Sequence, residues 1–576
     1  MWRILIVGLP LALSTIPSIA VNPIHVGTPL RTMTIFMILL SSQVLLAEHG
    51  IMVSSVVLRL LWAIAALLLI YPVFRTLVHR TSTAVKGVAL TGVLFIGSLL
   101  PWLEPLSRYP SIAFGAPFSN ANNDLAIYIV SADNFLHSGF KEFGRVVGYQ
   151  AGTLANFEVA GSSSLVSTLA KLTGAPVWRV TTLAMYLTLI VTAVAIFYLS
   201  RLLEVSALTS GFVAVLGVTA PWSAQVPHNF FLSQALARMA LVIALLCIAH
   251  LVRCRTRQDV ATCIIGIWSA TWLSLVSYPS GTIVSALFAA LMTPALLVDP
   301  WRKNRATTNR EILKRLVIAL VAVAAVLPIV WSRWSLIWNN VSLYSRANVT
   351  GWQASTDSFA LLIGVPAHWG GGSIFILFAG MLVVSLGFAA HHWREQDSGF
   401  LAAFIGICGV LTVFIIVISR VGISAYQSWK TLATIQVIVP VVLGVVLEAI
   451  RNRRDSRLAG GLVLSVLVAL TVWNVRAGGA TYRFTTQLPT MELENAAKDS
   501  RLPRENLLIG LRPYLETMIA PVILDLKGGI YASDTYLGPG SVDPNRCALV
   551  RGRKQRDVIQ LTPHLQLTPR ALCQGP

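Results

Sequence analysis

The sequence predicts an all-α polytopic membrane protein that carries a small α/β domain at its C-terminus, and three observations predict this fold class. Of the 576 residues, 55% are hydrophobic and only 12% are charged, whereas soluble domains have about 25% charged residues. Apolar runs of about 18 or more residues recur as far as residue 474. The remaining residues alternate short apolar runs with Gly, Pro and Asp turns, as a small α/β or β-rich domain does.

The apolar runs predict about 13–14 transmembrane helices. The first run resembles a signal peptide, with "STIPSIA" in the place of a cleavage site. Because so many spans follow it, we interpret this run as a retained helix. The predicted spans are residues 3–21, 31–48, 52–74, 87–105, 178–199, 207–222, 233–252, 259–277, 281–298, 315–332, 373–390, 399–419, 431–450 and 459–474.

Basic residues are concentrated in every second connection between these spans, and short loops rich in Lys and Arg stay cytoplasmic. The excess of 44 Lys and Arg over 24 Asp and Glu, a net charge of +20, is therefore a topology signal together with attraction to lipid head groups. A nucleic-acid partner is not needed to explain it. The basic connections are residues 75–87, 253–258, 301–315, 391–396 and 451–457.

The alternation of loops divides the chain into four parts. Cys547 and Cys573 are predicted to lie in an oxidising compartment outside the membrane, so we expect one disulfide between them. The four parts are N-terminal transmembrane helices (1–105), an outward loop with a candidate catalytic Asp (106–177), a transmembrane core with outward loops 222–232, 278–280, 333–372 and 420–430 (178–475), and an extracytoplasmic C-terminal domain (476–576).

The stretch "FSNANNDLAIYIVSADNFLHSGF" (118–140) lies in the first outward loop and predicts an amphipathic helix along the membrane surface. An asparagine would cap this helix, and Asp124 would lie in its first turn, where the helix dipole favours a carboxylate. At about 100° per residue, Tyr128 shares the face of Asp124, whereas Asp133 lies about 180° away. A purely structural role for Asp124 at the helix start is the simpler alternative.

Cationic side chains at the outward ends of the spans are candidates to bind an anionic ligand. Lys430 lies beside Tyr426 in "SAYQSWKTLATIQ", although an interfacial anchor is an alternative role for it. Arg238 lies about two turns inside a span, where an arginine costs about 2.5–3.5 kcal/mol and needs a partner or a polar cavity. The candidate binding residues are Lys430, Arg238, His228, Tyr426, Arg420, Tyr128 and Tyr278.

These features resemble the GT-C superfamily of membrane glycosyltransferases. The likeness consists of the large outward loop, the Asp in "NNDLAIYIVSADNFLHSGF", the many further spans and the terminal outward domain. Members of that superfamily take a sugar from a polyprenyl-phosphate carrier and commonly place a catalytic Asp or Glu in their first outward loop. "YQSWK" (426–430) is similar to a Tyr and Lys element of actinobacterial arabinosyl- and mannosyltransferases. Here three predicted spans precede the helix that leads into the loop, unlike the simplest members.

The resemblance implies an inverting transferase in which Asp124 is the general base. Asp133 is the second candidate for this role, and Glu158 and Glu142 are further options in the same loop. Basic residues would neutralise the polyprenyl-phosphate leaving group. No outward loop contains a DxD motif, so neither a metal nor another cofactor is implied.

Two aromatic elements also face outward. Tyr278 begins "YPSG", which reads most simply as a tight turn, with stacking on a sugar as the alternative. The loop 333–372 contains four tryptophans, which suit either an interfacial belt or a sugar-stacking wall.

We expect a bacterial plasma membrane protein whose partners are membrane lipids, a polyprenyl-phosphate sugar and a glycan or glycolipid acceptor. The alternatives are a transporter or flippase of a lipid-linked saccharide and a non-catalytic role in envelope assembly. Transporters usually contain repeats and have charges near the bilayer midplane. The sequence has no clear repeat and places its polar groups at the outer ends of helices, which favours the transferase.

Overall fold

The computed structural model describes, with internal gaps, residues 26–108, 118–119, 124–138, 160–293, 309–342, 355–380, 398–453 and 461–568, together with residues 12, 14 and 15. Within these ranges the chain is mostly helical. The helices that precede the C-terminal domain are α1 (Gly27–Glu48), α2 (Ser55–His79), α3 (Thr81–Leu99), α4 (Leu103–Arg108), α5 (Asp124–Ser138), α6 (Ala160–Thr173), α7 (Val177–Leu202), α8 (Ala207–Thr219), α9 (Leu232–Leu251), α10 (Arg257–Ser277), α11 (Asn309–Ala324), α12 (Leu327–Ser332), α13 (Asp357–Ile363), α14 (Ser398–Ser419), α15 (Ala425–Ile435) and α16 (Val439–Arg453).

Five helical segments of the described chain are long and apolar enough to cross a membrane. They are α1, α7, α9, α10 and the continuous helix from α15 into α16. Shorter apolar helices accompany them: Ser55–Leu67, Val85–Leu99, Ala207–Thr219, Gly371–Gly380 and Ile405–Ser419. The class of apolar, mostly helical protein is therefore as predicted, whereas the larger number of spans stays a prediction.

The span predicted at residues 207–222 is wrong in its length. α8 has 13 residues, or about 20 Å at 1.5 Å per residue, whereas a bilayer core is about 30 Å thick. The helix ends because Pro221 follows Ala220, and a proline disfavours the α conformation of the residue before it. Ala220 accordingly has a ψ of 150°.

The helix that carries Lys430 begins earlier than predicted. Its first turn is capped by Ser424, whose side chain accepts a backbone N–H at 3.2 Å. A 3-10 turn, Gln436–Ile438, joins α15 to α16 just before Pro440, which has no N–H for a helical hydrogen bond. Lys430 therefore lies in the second turn of a buried helix, near the start of the candidate span Ala425–Glu448.

Polar contacts at one end of the helix bundle join termini that the sequence predicts to be cytoplasmic. Arg31 in α1 forms an ion pair at 2.7 Å with Asp259 in the first turn of α10. Glu448 in α16 accepts the backbone N–H of Ser206, just before α8, at 3.2 Å. Two of the predicted basic loops adjoin these contacts, so we name this end of the bundle the basic end.

The C-terminal residues form a small α/β domain, as predicted. The helices are α17 (Thr490–Ala496) and α18 (Tyr514–Ile523), and the strands of the described chain are β1 (Phe118–Ser119), β2 (Thr486–Gln487), β3 (Leu508–Gly510), β4 (Ile530–Tyr531), β5 (Ala548–Arg551), β6 (Ile559–Gln560) and β7 (Leu565–Thr568). One five-stranded sheet has the order β4-β3-β5-β7-β6, in which β3 is parallel to both of its neighbours and β7 is antiparallel to both of its own.

The C-terminal domain packs against the loop that precedes α7. β1 from this loop pairs antiparallel with β2, so that Phe118 lies opposite Gln487. Glu494 in α17 accepts hydrogen bonds from Trp178, at 3.0 Å, and Arg179, at 2.7 Å, at the start of α7. The two large segments predicted to face outward thus lie at the same end of the bundle. α7 runs from this end, which we name the domain end, to the basic end.

α5 is buried rather than exposed along a membrane surface, so that prediction is wrong. Side chains on all of its faces are buried, among them Leu125, Tyr128, Ile129 and Asp133. α5 packs between α6 and α18, with α7 alongside. α18 comes from the far end of the chain. The sequence of α5 alone therefore cannot show that α18 covers it.

Candidate functional site

Two helices begin side by side at the domain end, and a third ends there. The hydroxyls of Ser162 in α6 and Ser233 in α9 are hydrogen-bonded at an Oγ–Oγ distance of 3.0 Å. Ser277, the last residue of α10, packs so closely on Gly161 that a Cβ there would lie 2.0 Å from Ser277 Oγ. The first N–H groups of a helix have no partner within the helix and carry partial positive charge. This meeting point therefore favours an anion.

α5, the helix of the candidate base, reaches the same place through Tyr128. The Tyr128 hydroxyl accepts the backbone N–H of Ser233 at 3.3 Å. Asp124 is the first residue of α5, in agreement with the predicted helix start. It lies one turn before Tyr128 on the same face, since residues four apart are neighbours on a helix surface. Asp124 thus shares the face of α5 that reaches the start of α9 through Tyr128.

Lys430 places its ammonium group among three aromatic rings. Its Nζ lies 4.4 Å from the ring centroid of Tyr426, 4.6 Å from that of Phe231 and 5.7 Å from that of Tyr278. Separations within about 6 Å are those of cation–π contacts. The side chain is only 8% exposed. Because Phe231 directly precedes α9, the ammonium charge lies beside the start of that helix.

Two glutamines, which we did not single out in the sequence, connect these elements. Gln427 donates from Nε2 to the hydroxyl of Tyr278 at 3.2 Å, and Gln234 donates from Nε2 to the carbonyl of Lys430 at 2.6 Å. The sequence could have indicated Gln234, because this residue lies four positions before Arg238 in an apolar run. Polar side chains in such runs are uncommon and often functional.

These contacts form one network, which we name the polar junction. It combines an ammonium charge, helix N-termini, hydroxyls and amides, and these groups together can bind a phosphate. Ser277 Oγ, Gln427 Oε1 and Gln234 Oε1 are buried without a hydrogen-bond partner in the described chain, although buried polar atoms are normally paired. The polar junction consists of Tyr128, Ser162, Phe231, Ser233, Gln234, Ser277, Tyr278, Tyr426, Gln427 and Lys430.

Asp133 lies on the other side of α5 from Asp124. The two residues are nine positions apart, or about 180° on a regular helix. The Asp133 side chain is 7% exposed, and its Oδ1 lies 3.4 Å from Nδ1 of His137. The fold therefore brings the face of Asp124, and not that of Asp133, toward the polar junction.

Arg238 lies one turn further along α9 than Gln234, which belongs to the polar junction. Its side chain is 2% exposed, and Nη2 donates to the carbonyl of Gly217 at 3.3 Å. This contact joins α9 to the last turns of α8. Arg238 thus places a second cationic side chain near the domain end, buried inside a candidate membrane span.

Some predicted site residues lie outside the described residues, and their roles stay predictions. They are His228, Arg420, Glu142 and Glu158.

The described tryptophans of the loop 333–372 are exposed. Trp334 and Trp338 are stacked at a ring distance of 6.0 Å and are 44% and 56% exposed. Trp352 and Trp369 lie outside the described residues. The exposed pair suits either of the two predicted roles, an interfacial belt or a sugar-stacking wall.

The C-terminal domain is held together by ionic contacts and by a disulfide. Arg551 forms ion pairs with Glu516, at 2.5 Å, and with Glu492, at 2.9 Å. The hydrogen bond to Glu516 is the main reason why the pKa of Arg551 lies above its ordinary value. The negative charges of Glu516 and Glu492 raise this pKa further. Cys547 is disulfide-bonded. Its predicted partner, Cys573, lies outside the described residues, so this pairing stays a prediction.

No protein-family model matches the chain, and no curated protein is significantly similar to it. Within the described ranges, no group of three or more His, Cys, Asp or Glu side chains could hold a metal ion. The conclusions about function therefore rest on the geometry of the polar junction and of α5.

Proposed function

We propose that this protein is an inverting, GT-C-type glycosyltransferase of a bacterial plasma membrane. It would move a sugar from a polyprenyl-phosphate donor to a cell-envelope glycan or glycolipid on the outer face. One observation carries this proposal: the helix of Asp124 is connected to Lys430. Tyr128 accepts the N–H of Ser233, and Phe231, two residues earlier, packs on the Lys430 ammonium. A candidate base and a candidate phosphate-binding cation thus meet at one end of the bundle.

The polar junction would hold the donor phosphate. As the bond between the anomeric carbon and the phosphate oxygen breaks, its electron pair stays on that oxygen and the phosphate gains a second negative charge. Fixed donors and cations directed at such a developing charge stabilise the transition state. Lys430 would supply the charge, since its ammonium is enclosed by protein beside the start of α9.

Asp124 would act on the acceptor. A sugar hydroxyl is a poor nucleophile near neutral pH, so its proton must move to a base as its oxygen bonds to the anomeric carbon. Such assistance is worth roughly 10²–10⁴ in rate. Asp124 suits this role because its helix places it one turn from Tyr128, and therefore near the proposed phosphate site. Attack opposite the departing phosphate inverts the anomeric centre.

Arg238 favours a second candidate function, a carrier or flippase for a lipid-linked saccharide. A buried cation inside a membrane span often marks the path of a polar substrate. Arg238 is such a residue, since it is 2% exposed within α9. The other polar groups lie at the domain end, which suits chemistry at the membrane surface.

Purified full-length protein in nanodiscs tests the proposal directly. A radiolabelled polyprenyl-phosphate sugar is supplied with a cell-envelope glycan acceptor, and label is measured in the lipid and in the glycan. Transfer of label to the glycan supports the transferase. Absence of transfer contradicts it. Movement of the labelled lipid between the leaflets of proteoliposomes, without transfer, supports the carrier instead.

A further inference from the structure

A buried hydroxyl group at the end of α10, without a hydrogen-bond partner in the described chain, packs against the start of α6. Ser277 at the end of α10 is 0% exposed, and its Oγ has no hydrogen-bond partner in the described chain. This oxygen lies against Gly161, in the first turn of α6, because a Cβ at Gly161 would be only 2.0 Å away. Only glycine lets α10 approach α6 so closely. The unpaired hydroxyl is therefore held at the N-terminus of a 14-residue helix.

Such an arrangement favours a ligand that accepts hydrogen bonds. Burying a hydroxyl group without a partner costs free energy, so buried hydroxyl groups are normally paired with protein, water or a ligand. The N-terminus of a helix presents N–H groups and partial positive charge, which attract an anion. The start of α9 adds a second helix N-terminus, since Ser162 and Ser233 are hydrogen-bonded at 3.0 Å. All of these groups favour negative charge at the same place.

Tyr278, the residue after Ser277, connects this position to an ammonium group. Gln427 donates to the hydroxyl of Tyr278, the residue that follows Ser277. The Nζ of Lys430 lies 5.7 Å from the ring centroid of Tyr278. A phosphate, with several acceptor oxygens, matches a hydroxyl donor, backbone N–H groups and a nearby cation better than a neutral sugar does.

We propose that the first turn of α6 and the hydroxyl of Ser277 bind the phosphate group of an isoprenoid phosphate. This inference rests on the proposed function, because it locates the donor phosphate between α6 and Lys430. Ser277 donates its hydroxyl proton to a phosphate oxygen, and the N–H groups at the start of α6 donate to the same group. In the sequence, the start of α6 is only a serine-rich helix start, and Ser277 only precedes a turn. The proposal makes both part of the donor site.

Ser277→Ala tests the site in the full-length protein. Binding of a fluorescent polyprenyl monophosphate is measured in neutral phosphatidylcholine nanodiscs, so no sugar transfer is required. Loss of a hydrogen bond to a charged group should weaken binding about tenfold or more. Ser269→Ala is the matched control, since Ser269 is also 0% exposed with an unpaired Oγ on α10. Ser269 lies eight residues before Ser277, about 12 Å along the helix. The Ser269→Ala variant should therefore bind the lipid like wild type.

Three competitors identify the ligand. Polyprenol without phosphate should fail to compete, whereas inorganic phosphate at millimolar concentration should compete. Phosphatidylglycerol at the same mole fraction should compete poorly. Equal competition by phosphatidylglycerol would overturn the isoprenoid assignment in favour of a phospholipid head group.

Two results separate this inference from the proposed function. If Ser277→Ala binds polyprenyl phosphate as tightly as wild type, the site is wrong even where wild type transfers sugar. If wild type binds the lipid, loses affinity in Ser277→Ala and yet transfers no sugar, the phosphate site stands and the transferase is wrong. Thermal unfolding of both alanine variants within a few degrees of wild type shows that each is folded. Should Ser277→Ala unfold early, Ser277→Cys keeps the size of the side chain with a weaker hydrogen-bond donor and should still weaken binding, and unchanged binding overturns the site.

Discussion

Replacing Lys430 by methionine should remove the proposed phosphate-binding charge without emptying the space that the side chain fills. The methionine side chain is apolar and of similar length, so it can pack among the rings of Tyr426, Phe231 and Tyr278. The ammonium lies 4.4, 4.6 and 5.7 Å from their centroids. Cation–π contacts of a desolvated ammonium are worth about 2 kcal/mol, and burial of the methionine offsets part of this loss. The free energy of unfolding should therefore change little.

Donor affinity should respond much more strongly than stability. A hydrogen bond to a charged group is worth about 1.5–3 kcal/mol, so its loss should weaken binding by about 10- to 100-fold. The assay titrates radiolabelled polyprenyl-phosphate sugar against each variant in nanodiscs and measures both binding and the donor KM. Acceptor KM should stay near its wild-type value.

Lys171→Met is the matched control for this substitution. Lys171 lies near the other end of α6, where its Nζ donates to the carbonyl of Val53 at 2.9 Å. The same change of charge and shape at this position should leave donor affinity unchanged. Equal donor affinity in Lys430→Met and wild type would refute the phosphate role of Lys430. A parallel loss in both variants would show only a general effect of net charge.

Three further predictions concern topology and the C-terminal domain. A reporter that is active only outside the cell should be active when fused after Arg476 and silent when fused at Asn304, and the reverse pattern would contradict the orientation. Alkylation of the unreduced, denatured protein should label neither Cys547 nor Cys573, whereas labelling of both would remove the predicted bridge. Arg551→Met should destabilise the C-terminal domain by about 3–5 kcal/mol, because it leaves a buried carboxylate unpaired. Unchanged limited proteolysis of the domain would contradict this expectation.

Local sequence signals predicted the parts of the fold that depend on nearby residues. Asp124 was predicted in the first turn of a helix, and α5 begins at that residue. The change from long apolar runs to short ones near residue 476 correctly predicted a small α/β domain. Both features follow from the backbone preferences and spacing of residues that are close in the chain.

Contacts between distant segments could not be predicted in this way. The amphipathic pattern of α5 suggested a membrane surface, but α18 covers this helix from the C-terminal domain. A helix with one apolar face can pack on lipid or on protein, and its own sequence does not distinguish the two. The same limit explains why the close contact of Gly161 with Ser277 was missed, since these residues are far apart in the chain.

The candidate site also contains residues that the sequence indicated and residues that it did not. Lys430 and Tyr426 were selected near the end of a predicted span, Tyr278 in a predicted turn, and Tyr128 on the face of Asp124. The fold places all four in the polar junction. Gln427 was not selected, because a single polar residue near a helix start has no distinctive spacing. Its part in the network depends on the hydroxyl of Tyr278, which belongs to another helix pair.

Asp124→Asn shows whether a carboxylate on α5 activates the acceptor. Asparagine keeps the shape of the side chain and its hydrogen bonding at the helix start, but it cannot accept the acceptor proton. Sugar transfer by the purified variant should fall by at least about 10², while expression and donor binding should barely change. Asp133→Asn, on the opposite face of α5, should be much milder. Near-normal transfer by Asp124→Asn would exclude Asp124 as the base and leave it only its role at the helix start, where asparagine costs little.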